Sequence, residues 1–124
     1  MAGIERFEDI EAWREARKLT NEIYRSTEQP SFGKDKGLRE QVQRASVSVM
    51  ANIAEGFDGG SNQEFLRFLG YAFRSGSELQ SHLYVALDQR YLTEESFSVA
   101  YEQIDKVKGL IGGFVRYLRS HGAS

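Results

Sequence analysis

The stretch SNQEFLRFLGYAFRSGSELQSHLYVAL, residues 61–87, decides the fold. Phe65, Leu69, Ala72, Gly76, Leu79, Leu83 and Ala86 recur in alternating steps of four and three. That is an a/d seam with period 3.5, which belongs on a helix packed lengthwise against another helix. Ser61 followed by Glu64 reads as a capping box that starts this helix. Directly after it, Thr93 reads as an N-cap with Glu94 and Glu95 in the first turn. Phe97, Ala100, Ile104, Val107, Ile111, Phe114 and Leu118 then repeat the alternation. Two such seams on neighbouring helices predict near-antiparallel packing at roughly 20°.

Working back toward the N-terminus, a helix is predicted from about residue 38 to 57, closed by the run Gly56-Phe57-Asp58-Gly59-Gly60. The first predicted helix spans about 9–27, with Asp9 as N-cap and Ala12, Ala16, Leu19 and Ile23 at helical spacing beside Trp13 and Tyr24. Pro30, Gly33 and Gly37 break the pattern between these two. The full set is therefore 9–27, 38–57, 62–90 and 94–119, in one domain over residues 1–124. Short connections make consecutive helices antiparallel neighbours. The expected fold class is all-α, an antiparallel up-down-up-down four-helix bundle. The tail from His121 to Ser124 is expected to fray.

Composition narrows the chemistry. The chain has no cysteine, which removes disulfides, thiolate metal sites and cysteine nucleophiles. The net charge is −2, and neither half is basic. A global electrostatic pull on nucleic acid or anionic lipid is not expected. No apolar run reaches the ~18 residues of a membrane span, and the polar N-terminus lacks a signal-peptide core. A cytoplasmic location without membrane association is the expectation.

The second predicted helix carries too much apolar surface for one face. Leu38, Val42, Ala45, Val49, Met50, Ile53 and Phe57 cover one arc, while Val47, Ala51 and Ala54 form a second strip. The third helix has its own surplus in Leu66, Phe68, Tyr71, Phe73, Tyr84, Val85 and Leu87. Eight Phe and six Tyr exceed what one small core holds. Either an N-terminal segment with Ile4 and Phe7 covers the excess, or the chain is a homo-oligomer; soluble monomers rarely leave sizeable apolar patches bare. The homo-oligomer is the preferred reading.

The run from Gly37-Leu38 through Gln41, Arg44-Ala45-Ser46-Val47-Ser48-Val49 and Ala51-Asn52-Ile53-Ala54-Glu55-Gly56 resembles a bacterial four-helix bundle family. Its members include proteins encoded in intervening sequences of 23S ribosomal RNA genes, and the accessory variability determinant of diversity-generating retroelements is similar. Phe7-Glu8-Asp9-Ile10, Ala12-Trp13, Glu64-Phe65-Leu66-Arg67-Phe68-Leu69, Ser75 and Glu78-Leu79 extend the resemblance over nearly the whole chain. It implies a ring-forming bundle, typically a homopentamer, with no enzymatic activity. It also implies an association with nucleic acid, since some relatives work beside RNA or a reverse transcriptase. Arg74 departs from the glycine often found there, and the chain is slightly acidic where some relatives are basic.

Several candidate sites follow. A polar stripe on the second predicted helix, Gln41, Arg44, Ser48, Asn52 and Glu55, reads as structural, with Arg44 pairing to Glu78 and Arg74 to Glu55. Arg14, Arg17, Lys18, Arg25, Lys34, Lys36 and Arg39 form a weak candidate for a nucleic-acid patch, although interleaved acids favour local i,i+4 pairing. The glycines from Gly56 to Gly60 suit turns and caps; no lysine follows them, so no P-loop is present. Glu78 and His82 share a helix face but lack the partners of a di-metal site. Gly109, Gly112 and Gly113 inside the last helix point to close helix approach, within the bundle or across a subunit interface. No catalytic group, metal or cofactor is expected.

The functional expectation is a non-enzymatic oligomeric scaffold, pentameric as the resemblance implies, whose partner is itself. The alternative is an RNA-binding accessory protein, partnered by nucleic acid or a nucleic-acid enzyme.

Overall fold

The computed structural model describes residues 3–121. A 3₁₀ turn, Phe7–Asp9, leads into α1 (Glu11–Thr27), α2 (Pro30–Lys34), α3 (Lys36–Asp58), α4 (Asn62–Asp88) and α5 (Glu94–Ser120). Among the described residues there is no strand, so the chain is all-α with five helices. The tail read as frayed lies outside the described residues beyond His121.

The seam on α4 is the centre of the core. Phe65, Leu69, Ala72, Gly76, Leu79, Leu83 and Ala86 are all buried. Ile104, Val107, Ile111 and Leu118 of α5 face them, with Phe97, Ala100 and Phe114 half-buried beside them. α3 supplies Leu38, Val42, Ala45, Val49 and Ile53, and α1 supplies Ala12, Ala16, Leu19 and Ile23. α3 packs on α4, α4 on α5, α5 on α1 and α1 on α3. Two caps hold helix starts as their residue types suggest. Ser61 Oγ accepts the Glu64 N–H at 3.1 Å, and Thr93 Oγ1 accepts the Ser96 N–H at 3.0 Å.

Four local expectations need correction. The segment between the first two predicted helices is not a plain loop, because Pro30–Lys34 form α2. Proline is preorganised for the first helical position, and the Gly33 N–H bonds the Gln29 carbonyl at 2.7 Å. Phe32 on this short helix is fully buried and stacks on Tyr91. Asp9 does not cap α1. Its carboxylate turns back to accept the Glu5 and Arg6 N–H groups, and Ile10 occupies the cap position without a side-chain bond. Helix α4 stops at Asp88 because Arg90 adopts φ +65°, the left-handed C-terminal geometry usually given to glycine, and Tyr91 N–H bonds the Ala86 carbonyl at 2.8 Å. Gly56 is no cap residue. It lies buried inside α3, where a Cβ would come within 2.6 Å of Phe68 Cβ.

The α1–α5 contact includes a carboxylate with two ammonium partners. Glu15 meets Lys18 Nζ at 3.0 Å and Lys106 Nζ at 3.3 Å. The hydrogen bond from Lys18 holds the Glu15 carboxyl below its ordinary value, with burial opposing and Lys106 assisting. A carboxyl depressed in the folded state stabilises above its unfolded pKa, and that contribution is lost as pH falls through the folded value. Glu15→Gln is therefore expected to lower the melting temperature slightly at pH 7 and to leave it unchanged at a pH below the carboxyl's folded value. An equal loss at both pH values would contradict this assignment.

Candidate functional site

The polar stripe divides in two once α3 is packed. Ser48 and Asn52 are half-buried at the α3–α4 contact. Ser48 Oγ lies 2.9 Å from Ser75 Oγ, and Asn52 Nδ2 donates to the Ser48 carbonyl at 2.9 Å and to its hydroxyl at 3.0 Å. Gln41, Arg44 and Glu55, on the same side of the helix, are exposed. The expected charged pairs do not form: among the described residues no ion pair joins Arg44 to Glu78 or Arg74 to Glu55. Glu78 instead meets His82 Nε2 at 3.2 Å, one turn along its own helix. Four-residue spacing makes that partner local, whereas Arg44 points outward from the seam.

Apart from Ser48–Ser75, the polar contacts that cross between helices involve residues outside the stripe. Gln43 Nε2 donates to Thr27 Oγ1 at 2.9 Å, tying α3 to α1. Gln80 is buried between α4 and α5, donates to Asp105 at 2.7 Å and accepts from Lys108 at 3.0 Å. Its place one turn after Gly76 on the α4 seam was the available signal. Such groups need these partners, since a buried amide without them costs about 1–3 kcal/mol. Among the described residues, no buried side-chain nitrogen or oxygen lacks a partner.

The seven basic residues of the candidate patch do not gather in one place. Arg14, Arg17 and Lys18 share an exposed face of α1 with Asn21. Arg14 donates to the Glu8 carbonyl at 3.1 Å, Arg17 lies over the Trp13 ring, and Lys18 pairs with Glu15. Arg25 pairs with Glu22, while Arg39 donates to the Gly33 carbonyl at 3.0 Å in a separate recess. Lys34 and Lys36 are exposed around the junction of α2 and α3.

A different set of cations forms a groove between α4 and α5. Its cavity is about 350 Å³, with Leu69, Phe73, Ile111 and Val115 as an apolar floor and Arg74, Arg116 and Arg119 around it. Gly70 and Gly112 line it as well, so its walls are low. The Lys108 ammonium sits 4.8 Å from the Phe73 ring centre. Among the described residues, no ion pair holds any of the three arginines. Sequence reading missed this set because Arg74 and Arg116 are 42 positions apart in the chain. The helical glycines also take a new meaning. A Cβ at Gly109 would meet nothing within 4 Å, and those at Gly112 and Gly113 would meet only Arg116. Close approach within the chain therefore does not explain them.

Folding leaves several large apolar side chains bare. The N-terminal segment does pack on α1 and α3, with Phe7 edge-on to Trp13 at 5.1 Å. Even so, Tyr24, Val47, Tyr71, Phe73, Tyr84, Val85, Val99 and Tyr117 stay at least 40% exposed. Among the described residues, no group of three or more His, Asp or Glu side chains could hold a metal ion. At the start of α4, the Ser61 hydroxyl already takes the Glu64 N–H that a phosphate would need. No helix among the described residues is long and apolar enough to cross a membrane.

A family model described as 23S rRNA-intervening sequence protein matches residues 8–113. The fold is similar to the crystal structure of a protein of unknown function from the S23 ribosomal protein family of Bacteroides thetaiotaomicron. The TM-score is 0.79 at 18% identity, covering 85% of this chain and 95% of that one. No curated protein matches the chain.

Proposed function

The chain belongs to the 23S rRNA-intervening sequence protein family, and from that premise we propose that it is a non-enzymatic, self-assembling scaffold built as an antiparallel up-down-up-down four-helix bundle. The bundle reading draws support from contacts that run in opposite order on paired helices. Gly56 faces Phe65 and Phe68 while Ser48 faces Ser75. Phe65 meets Phe114 while Tyr84 meets Phe97. The scaffold acts in the cytoplasm, and its first partner is a second copy of itself, in a ring of the homopentameric kind implied by the family resemblance.

The observation that carries self-assembly is the bare apolar surface. Eight large hydrophobic side chains remain exposed on a small fold whose core is otherwise complete. Bare patches of that kind mark interaction surfaces. Light scattering on the purified full chain tests it: a mass several times 14.1 kDa is expected. A stable monomer at tens of micromolar would overturn it.

A second reading, an RNA-binding accessory protein, is favoured by the grouping of Arg74, Arg116 and Arg119 without a carboxylate among the groove residues. It requires retention of structured RNA in a gel shift, weakening steeply with salt.

A further inference from the structure

We propose that the cationic α4–α5 groove receives the acid-flanked, exposed Val99 face of α5 from a second copy, giving a head-to-tail interface. This deepens the self-assembly reading and rests on it. Among the described residues, Val99 is the most exposed large hydrophobic residue, at 61%. Glu95 and Glu102 stand four residues before it and three after it, on the same helix face. Among the described residues, neither carboxylate is held in an ion pair.

The groove has the opposite character. Phe73 and Val115 form an apolar seat, and Arg74, Arg116 and Arg119 stand around it. Gly70 and Gly112 remove two side chains from the walls, so a helix can come close. A glycine inside a helix is less favourable than alanine, a cost that close approach of a second copy would offset. Arginine and carboxylate pair in two parallel hydrogen bonds, which sets register as well as attraction. The Val99 face and the groove lie about 25 Å apart along α5, counting 1.5 Å per residue from Val99 to Arg116. The two patches differ, so each copy uses one of each. Such heterologous contacts generate a ring when the rotation closes.

A second copy fits this groove better than a nucleobase does. The Lys108 ammonium already covers the Phe73 ring, and Gln80 anchors that ammonium in place. The complementary surface, moreover, is present on the same chain.

Charge reversal tests the pairing on the full chain, with mass from light scattering and helicity from circular dichroism. R116E/R119E and E95R/E102R are each expected to reduce a wild-type oligomer to folded monomers. The combined chain R116E/R119E/E95R/E102R is expected to reassemble, because both partners have changed sign. If either paired variant keeps the wild-type mass, or if the combined chain stays monomeric while folded, this interface is wrong although self-assembly stands. A monomeric wild type would instead remove the self-assembly reading itself. If R116E/R119E abolishes retention of a labelled RNA hairpin and leaves the mass unchanged, the groove serves nucleic acid and the proposal falls.

Discussion

Phe32→Ala is expected to remove about 3–5 kcal/mol of stability, the usual cost of deleting a buried phenyl ring. Small domains hold only about 5–15 kcal/mol in total, so one substitution in a five-residue helix would take a large share. The ring is fully buried, and its centre lies 5.3 Å from that of Tyr91 in a stacked arrangement. Tyr91 in turn donates its hydroxyl to Asp35 at 2.9 Å, a bond that raises the phenol above its ordinary pKa. Asp35 also accepts the Leu38 N–H at 3.1 Å and so caps α3. Phe32 is thus the apolar half of a clamp joining α2, the start of α3 and the α4–α5 connection. Urea unfolding measures the effect: the midpoint should fall with little change in slope. A loss under about 1 kcal/mol would mean that α2 is a detachable surface turn, because deleting a core ring costs several times more.

Gly56→Val is expected to cost about 3 kcal/mol, the upper end of ordinary overpacking. A Cβ at this position would stand 2.6 Å from Phe68 Cβ and 3.1 Å from Phe65 Cδ1. Phe68 Cβ is fixed to the α4 backbone and cannot swing away, so α3 and α4 must separate locally. That disturbs Phe65, whose ring sits edge-on to both Phe57 and Phe114. Gly109→Ala is the matched control, a helical glycine with nothing within 4 Å of an added Cβ. It should gain up to about 1 kcal/mol from helix propensity alone. If both substitutions shift the melting temperature alike, the close α3–α4 approach is not what keeps Gly56.

These two sites separate what was readable in the chain from what was not. The α4 seam could be read residue by residue, because burial on a long helix repeats with a short period and each member predicts the next. Phe32 could not, because a five-residue segment that itself contains a proline and a glycine carries no such repeat, and its partner Tyr91 lies far along the chain. Gly56 was visible, but its role was misread. A glycine next to Asp58, Gly59 and Gly60 looks like a helix ending, and only the approach of Phe68 shows that it lies inside the helix.

The polar stripe failed for a related reason. Helical angle put Arg44, Ser48 and Glu55 on one side of α3, yet only Ser48 and Asn52 lie close enough to α4 to bond across or along the seam. Long charged side chains at the margin find water or a neighbour on their own helix, as Glu78 finds His82.

The amino-acid sequence by itself determined the helical class, the faces that α1, α3, α4 and α5 bury, and the surplus of apolar surface. These are set by spacing along one chain segment, where a few residues suffice to define a face. Only the tertiary structure decided the position of α2, the Gln80–Asp105–Lys108 network and the gathering of Arg74 with Arg116 and Arg119. Each of these depends on residues far apart in the chain that meet only when α4 packs on its neighbours. The residues 61–87 set the seam, and the packing around that seam created the groove.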